Sequence, residues 1–223
     1  MRTYIVIPAY NEEKSVGRVI KSVQKQGFND IIVIDDGSND NTSRVAKKAG
    51  AIVYRHPVNR GLGGALGTGI SAALMHGADI IVTFDADGQH DAREIRKVVQ
   101  PIISRKADAV VGSRLINPKG MPIIRKIGNW GFNIITYALF GVWTTDSQSG
   151  FRAFSRKAAM KLEIKSNRME VSSEIIKEIG KKKIRFAEVP IKAIYTDYSL
   201  KRGQSNINGV RILGKLVLRR MMR

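Results

Sequence analysis

The chain has 223 residues, with 38 Lys and Arg against 19 Asp and Glu, a formal net charge of +19 and no cysteine. That length suffices for one α/β domain with a substantial core. The lack of cysteine excludes a disulfide frame, a thiolate metal site and a cysteine nucleophile, and fits a reducing compartment. No apolar run approaches the ~18 residues of a membrane span. A strand-like run already begins at Tyr4, so nothing reads as a signal peptide. The charge is uneven. Residues 1–110 hold 15 basic against 12 acidic side chains, a net +3, and residues 111–223 hold 23 against 7, a net +16. The second half should therefore face something anionic, and on charge alone lipid headgroups and nucleic acid both qualify.

In chain order, Tyr4–Ile7 reads as a strand. Glu13 to about Gln26 reads as a helix with Val16, Val19, Ile20 and Val23 on one face. Ile31–Ile34 is a second strand, closed by Asp35-Asp36-Gly37. Asn39 or Asn41 can cap a helix running to Ala49, where Gly50 stops it. A short strand Ala51–Tyr54, a glycine-rich turn and a small-residue helix from Ala65 to His76 follow. The strand 80–84, a helix from Asp91 to about Ser104 and a strand Ala109–Val111 come next. Apolar strands separated by helices indicate a parallel sheet covered on both faces, with ligands beyond the carboxyl ends of the strands. Pro8, Asp35-Asp36 and Asp85-Ala86-Asp87 all lie at such ends.

Residues 121–143 are apolar and aromatic, interrupted by Gly128, Asn129, Gly131 and Asn133. They read either as a buried helix or as one lying in a lipid interface. Trp130, Tyr137 and Trp143, with Arg125-Lys126 at one end, suit the interface. Near the C-terminus, Arg211, Lys215, Arg219 and Arg223 form one row and Val210, Leu213, Val217 and Met221 another. This is a basic amphipathic pattern for a membrane surface or an acidic partner, with docking onto the domain as the alternative. The expected organisation is a domain over 1–200, with the 121–143 region inserted, and a basic segment over 201–223.

The chemistry centres on Asp85 and Asp87. Residues two apart on an emerging strand point the same way, and two hard oxygen donors at a sheet edge suit Mg²⁺ or Mn²⁺ carrying a diphosphate. Gly61-Leu62-Gly63-Gly64-Ala65-Leu66-Gly67 resembles a dinucleotide fingerprint, but Leu66 stands where a third glycine belongs and no Lys-Ser/Thr pair follows. It reads instead as a tight turn whose amides, near a helix start, can approach a sugar or phosphate. No G-x-S-x-G elbow exists and the only histidines are His56, His76 and His90, which argues against hydrolase triads and histidine-rich zinc sites.

Five segments carry a resemblance: Ile7-Pro8-Ala9-Tyr10-Asn11-Glu12-Glu13, Asp35-Asp36-Gly37-Ser38, Asp85-Ala86-Asp87-Gly88-Gln89-His90, Gly112-Ser113-Arg114 and Asp146-Ser147-Gln148-Ser149-Gly150-Phe151-Arg152. Their order and spacing resemble family 2 glycosyltransferases, and within them the dolichyl- or polyprenyl-phosphate sugar synthases. The resemblance implies an α/β GT-A fold, Rossmann-like and nucleotide-sugar-binding, with a mostly parallel central sheet and interfacial amphipathic helices in the C-terminal half. It also implies a nucleotide-sugar donor, Mg²⁺ or Mn²⁺, and inverting transfer of one sugar to a polyprenyl or dolichyl phosphate. A soluble glycan or other hydroxyl acceptor is the alternative.

On this pattern Pro8, Tyr10 and Glu12 would hold the base and ribose of the donor, with Asp36 helping. Asp85, Asp87 and Gln89 would hold the metal and diphosphate, Asp87 being the least replaceable. Arg114 and Arg125 would face the acceptor phosphate, with Asn129 one turn beyond Arg125, and Arg202 would clamp phosphates from the other side. Asp146 is a candidate base near the acceptor, or else a purely structural residue, and Glu174 an organiser of the acceptor side. A phosphate monoester is mostly dianionic at neutral pH, its second pKa being about 6, so such an acceptor needs alignment more than deprotonation.

The Gln-x-x-Arg-Trp motif of processive relatives is absent, which implies one sugar per cycle. Gly203-Gln204-Ser205-Asn206 differs from the Ser-Lys ending of mannose synthases, which favours a UDP-sugar slightly over GDP-mannose. Many lipid-linked members carry transmembrane helices after the catalytic domain. Here the lipid would be reached through interfacial helices alone or through a separate membrane-anchoring subunit, on the cytoplasmic face of a membrane. No nucleic-acid recognition motif appears, so nucleic acid is not an expected partner.

Overall fold

A computed structural model describes residues 1–118, 121, 123–192 and 194, with backbone alone at 124 and 125. Seven strands form one sheet: β1 (Thr3–Ala9), β2 (Ile31–Asp35), β3 (Ile52–Arg55), β4 (Ile80–Thr83), β5 (Ala109–Ser113), β6 (Arg152–Ser155) and β7 (Phe186–Pro190). Their spatial order is β3-β2-β1-β4-β6-β5-β7. Every pairing is parallel except the two made by β6, which runs antiparallel between β4 and β5. The helices are α1 (Val16–Gln24), α2 (Thr42–Lys48), α3 (Leu62–Met75), α4 (Ile95–Ile103), α5 (Ile123–Phe140), α6 (Arg156–Lys161) and α7 (Val171–Lys181).

Alternate residues of each strand feed opposite faces of the sheet. On one face, Ile5, Ile7, Ile31, Val33 and Val82 pack against Val16, Val19, Ile20 and Val23 of α1 and Ile95, Val98, Val99 and Ile102 of α4. On the other, Tyr4, Val6, Ile32, Ile34, Ile81 and Val111 meet α3 and α7 through Ala65, Leu66, Ile70, Val171, Ile175 and Ile179. Each such Val or Ile contributes about 1.5–3 kcal/mol by leaving water. Both faces being dry explains the unbroken apolar strands of the sequence. It also brings the carboxyl ends of β1, β2, β4 and β5 to one edge.

Three expectations change in detail. The helix expected from Ala65 begins at Leu62, so its first glycines belong to the helix. Gly63 and Gly64 donate their amides to the Asn167 carbonyl at 2.8 and 3.2 Å. A Cβ on Gly63 would lie 1.8 Å from the Ser166 carbonyl oxygen. These glycines admit a protein loop, and the amides expected to approach a sugar or phosphate are bound to that loop. Asn41 precedes α2, but the capping bond comes from Asp40, whose Oδ1 accepts the Thr42 N–H at 2.9 Å. Finally, α5 is buried on one side and open on the other: Asn133 and Thr136 are buried, whereas Ile123, Ile127, Trp130, Ile134 and Tyr137 form an exposed apolar stripe. Among the described residues, no helix is long and apolar enough to cross a membrane. The basic pattern over 201–223 lies outside the described residues.

Gly69 marks the closest approach of α3 to the sheet: a Cβ there would lie 2.2 Å from Val6 Cγ1 and 3.1 Å from Ile34 Cγ1. Gly69→Ala should destabilise by about 1–3 kcal/mol through overpacking. Gly128→Ala on α5, where nothing lies within 4 Å, should stabilise by about 0.5–1 kcal/mol through helix propensity. Denaturant unfolding of the two variants checks these opposite signs.

Candidate active site

The loops after β1 and β2 are laced into one wall. Asn11 adopts φ 53°, a left-handed conformation that asparagine tolerates. Its N–H donates to Ser38 Oγ at 2.9 Å and its Oδ1 accepts from Asn39 N at 2.8 Å. Glu12 N donates to Thr42 Oγ1 at 2.8 Å, and Asn41 N to Glu13 Oε2 at 3.1 Å. Pro8 is the last residue but one of β1, Tyr10 is exposed just beyond it, and Glu12 is buried with its carboxylate bonded by the Ser15 hydroxyl. Asp36 is buried too. Its Oδ1 meets His56 Nδ1 at 2.7 Å and accepts the Arg60 N–H at 2.9 Å, while Oδ2 accepts the Gly61 N–H at 2.7 Å. His56 Nε2 meets Thr68 Oγ1 at 3.0 Å. What Asp36 fixes directly is therefore the 56–61 turn.

Asp85 follows β4 and lies against Gly150, where a Cβ would sit 2.3 Å from its Oδ1. Its Oδ2 pairs with buried His90 Nε2 at 2.8 Å. That imidazole packs on Phe84 and Phe151, with centroids 5.4 and 5.2 Å away. Asp87 accepts the Gln89 N–H at 2.9 Å and also the Gln89 side-chain amide, so Gln89 orients that carboxylate. The two acids are pushed apart. Burial opposes charge on Asp85, but His90, Arg114 and Arg152 outweigh it and hold its carboxyl below the usual range. Burial and the neighbouring Asp85 charge raise Asp87.

Like charges this close compete until a cation arrives. Among the described residues no three His, Cys, Asp or Glu side chains gather into a cage. Mg²⁺ and Mn²⁺ suit oxygen donors, and Mg²⁺ is commonly held by one or two carboxylates with phosphates and waters completing the shell. The Asp85–Asp87 pair fits such an ion shared with a diphosphate.

Across the edge, Asp146 is fully buried and grips Arg114. The Arg114 Nε and Nη2 reach its two oxygens at 2.7 and 2.8 Å, and the Arg114 N–H donates to Oδ2 at 3.0 Å. Both oxygens are engaged by Arg114 and neither is exposed, an arrangement that favours the structural role of Asp146 over that of a base. Its loop is held twice more. Glu188 Oε1 accepts from Thr144 Oγ1 at 2.7 Å and Thr145 N at 2.8 Å. Asn133 bonds Ser147 N at 2.9 Å and the Thr145 carbonyl at 2.6 Å. Glu174 accepts the Ser166 and Lys165 N–H groups at 2.8 and 3.2 Å, so it organises the loop that packs against the start of α3. Asn129 sits half-buried on α5, its amide 4.0 Å from Met121 Sδ. The side chain of Arg125 and all of Arg202 lie outside the described residues.

Sequence reasoning gave no role to His90, Asn133, Glu188 or Arg152. His90 and Arg152 stood inside quoted motifs, and an arginine in the run Phe151-Arg152-Ala153-Phe154 was a usable signal. Removing one partner of a buried ion pair strands the other, at about 3–5 kcal/mol. Asp146→Ala should therefore lower unfolding free energy by roughly that amount. Chemical denaturation measures it, whereas loss of a mere proton acceptor would leave stability unchanged.

The family profile described as Glycosyl transferase family 2 matches residues 4–163. The chain is 43% identical over 240 residues to the UDP-N-acetylglucosamine–dolichyl-phosphate N-acetylglucosaminyltransferase of Methanococcus voltae, covering 98% of this chain and 96% of that protein. It is 32% identical over 166 residues to the undecaprenyl-phosphate mannosyltransferase of Micrococcus luteus, covering 69% and 66%. Among solved structures, the glucosyl-3-phosphoglycerate synthase of Mycobacterium tuberculosis, in complex with Mn²⁺, UDP and phosphoglyceric acid, superposes with a TM-score of 0.76. That alignment is at 21% identity and covers 98% of this chain and 78% of that one, a likeness of GT-A fold. Motifs, sheet topology and sequence match agree that the chain belongs to glycosyl transferase family 2.

Proposed function

We propose that the protein transfers a single sugar from a nucleotide sugar, UDP-linked in preference to GDP-linked, to a polyprenyl or dolichyl phosphate at an anionic membrane surface. The observation that carries this reading is the Asp85–Asp87 pair just beyond β4 at the carboxyl edge of the sheet, with Asp85 held by His90 and under the charge of Arg114. A bound Mg²⁺ or Mn²⁺ would be held there by Asp85 and Asp87 with Gln89 beside them, offsetting charge on the departing diphosphate. Pro8, Tyr10 and Glu12 would hold base and ribose, while Asp36 sets the adjoining turn. Arg114, kept in orientation by Asp146, would align the acceptor phosphate with Arg125, Asn129 and Arg202. An acceptor phosphate oxygen attacks the anomeric carbon from the face opposite the diphosphate, whose C–O bond breaks, so the configuration inverts. The dianionic acceptor needs no base, which agrees with Asp146 being committed to Arg114.

Two supports come from relatives. The names of the Methanococcus voltae and Micrococcus luteus proteins specify lipid phosphates, and the former a UDP-sugar. Mycobacterium tuberculosis structures of the same fold hold Mn²⁺ or Mg²⁺. The membrane reading rests on the α5 stripe. Trp130 and Trp143 are 57% and 50% exposed, and Trp143 stacks edge-on against Trp130 at 6.4 Å and Tyr137 at 5.7 Å. Ringed aromatics of this kind suit the headgroup level of a bilayer.

The test is a donor screen with Mn²⁺ or Mg²⁺ and short-chain polyprenyl phosphate in anionic vesicles, reading out lipid-linked sugar. Product should form from a UDP-sugar and fall by about 10³-fold in Asp87→Ala, since several kcal/mol of charge stabilisation is lost. The double variant Trp130→Ser, Trp143→Ser should lose activity on vesicles yet keep it on detergent-dispersed acceptor. Transfer to soluble hydroxyl acceptors with none to polyprenyl phosphate would overturn the proposal.

A further inference from the structure

Arg152 is the largest fully buried side chain among the described residues. Burying a guanidinium is costly unless charges and hydrogen bonds answer it, so its surroundings indicate its task. It stands in β6, opposite Thr83 of β4 and Val111 of β5. Thr83 comes two residues before Asp85, and Val111 three before Arg114, so this position lies between the two halves of the site. Strand alternation puts Arg152 on the α3 and α7 face with Phe154, Ile81 and Val111. Its Nη2 donates to the Ser147 carbonyl at 3.0 Å, one residue past Asp146. Its Nε–H has no partner among the described residues. The charges acting on it are the carboxylates of Asp85 and Asp146, with Arg114 opposing, and burial lowers its pKa to about 10, still fully charged at neutral pH.

Neither carboxylate is served by Arg152 alone. Asp85 has His90 on Oδ2 and Gly150 against its other oxygen, and Asp146 has the Arg114 fork. A buried cation that stands opposite Thr83 and Val111, bonds the residue next to Asp146 and acts by charge on both carboxylates can relate the donor half to the acceptor half.

We propose that Arg152 is a positioning residue that sets Asp85 and the Arg114–Asp146 pair in one arrangement, so that a single buried guanidinium registers the donor half of the site on the acceptor half. The inference rests on the reading of Asp85 as a carboxylate of the metal–diphosphate site. Arg152 touches neither donor nor acceptor. Among the described residues it pairs with neither carboxylate at contact distance, so its effect passes through the Ser147 carbonyl it bonds and through its charge on Asp85 and Asp146, as with outer groups that orient the ligands of a metal.

The experiment uses the full chain as Arg152→Met and Arg152→Lys, with folding checked by circular dichroism. Free Mn²⁺ is read by electron paramagnetic resonance in the presence of UDP, and KM is measured for short-chain polyprenyl phosphate. Arg152→Met should weaken Mn²⁺–UDP binding by about 10–100-fold, the range for lost orienting groups, and raise the acceptor KM in the same variant. Arg152→Lys keeps the charge without the planar fork and should show both effects at intermediate size; it carries the test where the methionine variant does not fold. Wild-type constants in either folded variant, or a shift confined to one half of the site, would overturn the proposal while leaving the proposed function standing. Absence of Mn²⁺–UDP binding in the unaltered protein would overturn both.

Discussion

The insertion of one antiparallel strand, β6, between β4 and β5 is the constraint on which the site depends. In an all-parallel sheet the carboxyl ends of β4 and β5 would be neighbours, with nothing between the acids after β4 and the arginine after β5. Because β6 enters from the opposite direction, its first residues lie level with the last residues of both. Gly150 then leaves room for the Asp85 carboxylate, and the Thr83 hydroxyl bonds the Gly150 carbonyl at 2.7 Å. The Gly112 N–H reaches the Phe151 carbonyl at 2.9 Å on the other side. The loop from 144 to 151 is thereby stitched to two strands, and its charged members cannot drift.

Placing charge in a dry sheet edge has an energetic logic. Four charged groups face each other there, Asp85, Arg114, Arg152 and Asp146, the last holding Arg114 in a two-point grip. Each is partly or wholly removed from water, so each needs a counter-charge at short range. Asp87 alone is left with a raised proton affinity, caused by burial and by its neighbour's charge. That leaves the centre one cation short on the donor side. Preorganised charge of this kind acts on a reacting group without first rearranging solvent.

Much of the fold was legible because burial on both faces forces apolar strands, and apolar runs such as Ile31–Ile34 and Ile80–Val82 are visible directly. The sheet edge was legible for the same reason: acids that break an apolar run mark where a strand leaves the core. Local reading failed where a residue's role comes from a distant partner. β6 was invisible because Arg152 sits in it, and only the fold reveals the carboxylates that make an arginine tolerable there. The glycines at 63 and 64 looked like a ligand turn because sequence cannot show that the 166–167 backbone fills the space. Sequence left Asp146 open between a base and a structural residue because its bidentate partner, Arg114, is 32 residues away.

The proposed function would place a divalent cation at Asp85 and Asp87 together with a diphosphate, since among the described residues no three acidic or histidine side chains form a cage. Calorimetric titration of UDP into the protein, with Mn²⁺ and then with a chelator, tests it most directly. UDP should bind with Mn²⁺ and lose most of its affinity with the chelator, while Mn²⁺ alone binds only weakly. Equal UDP affinity in the chelator, or tight Mn²⁺ binding without nucleotide, would contradict it.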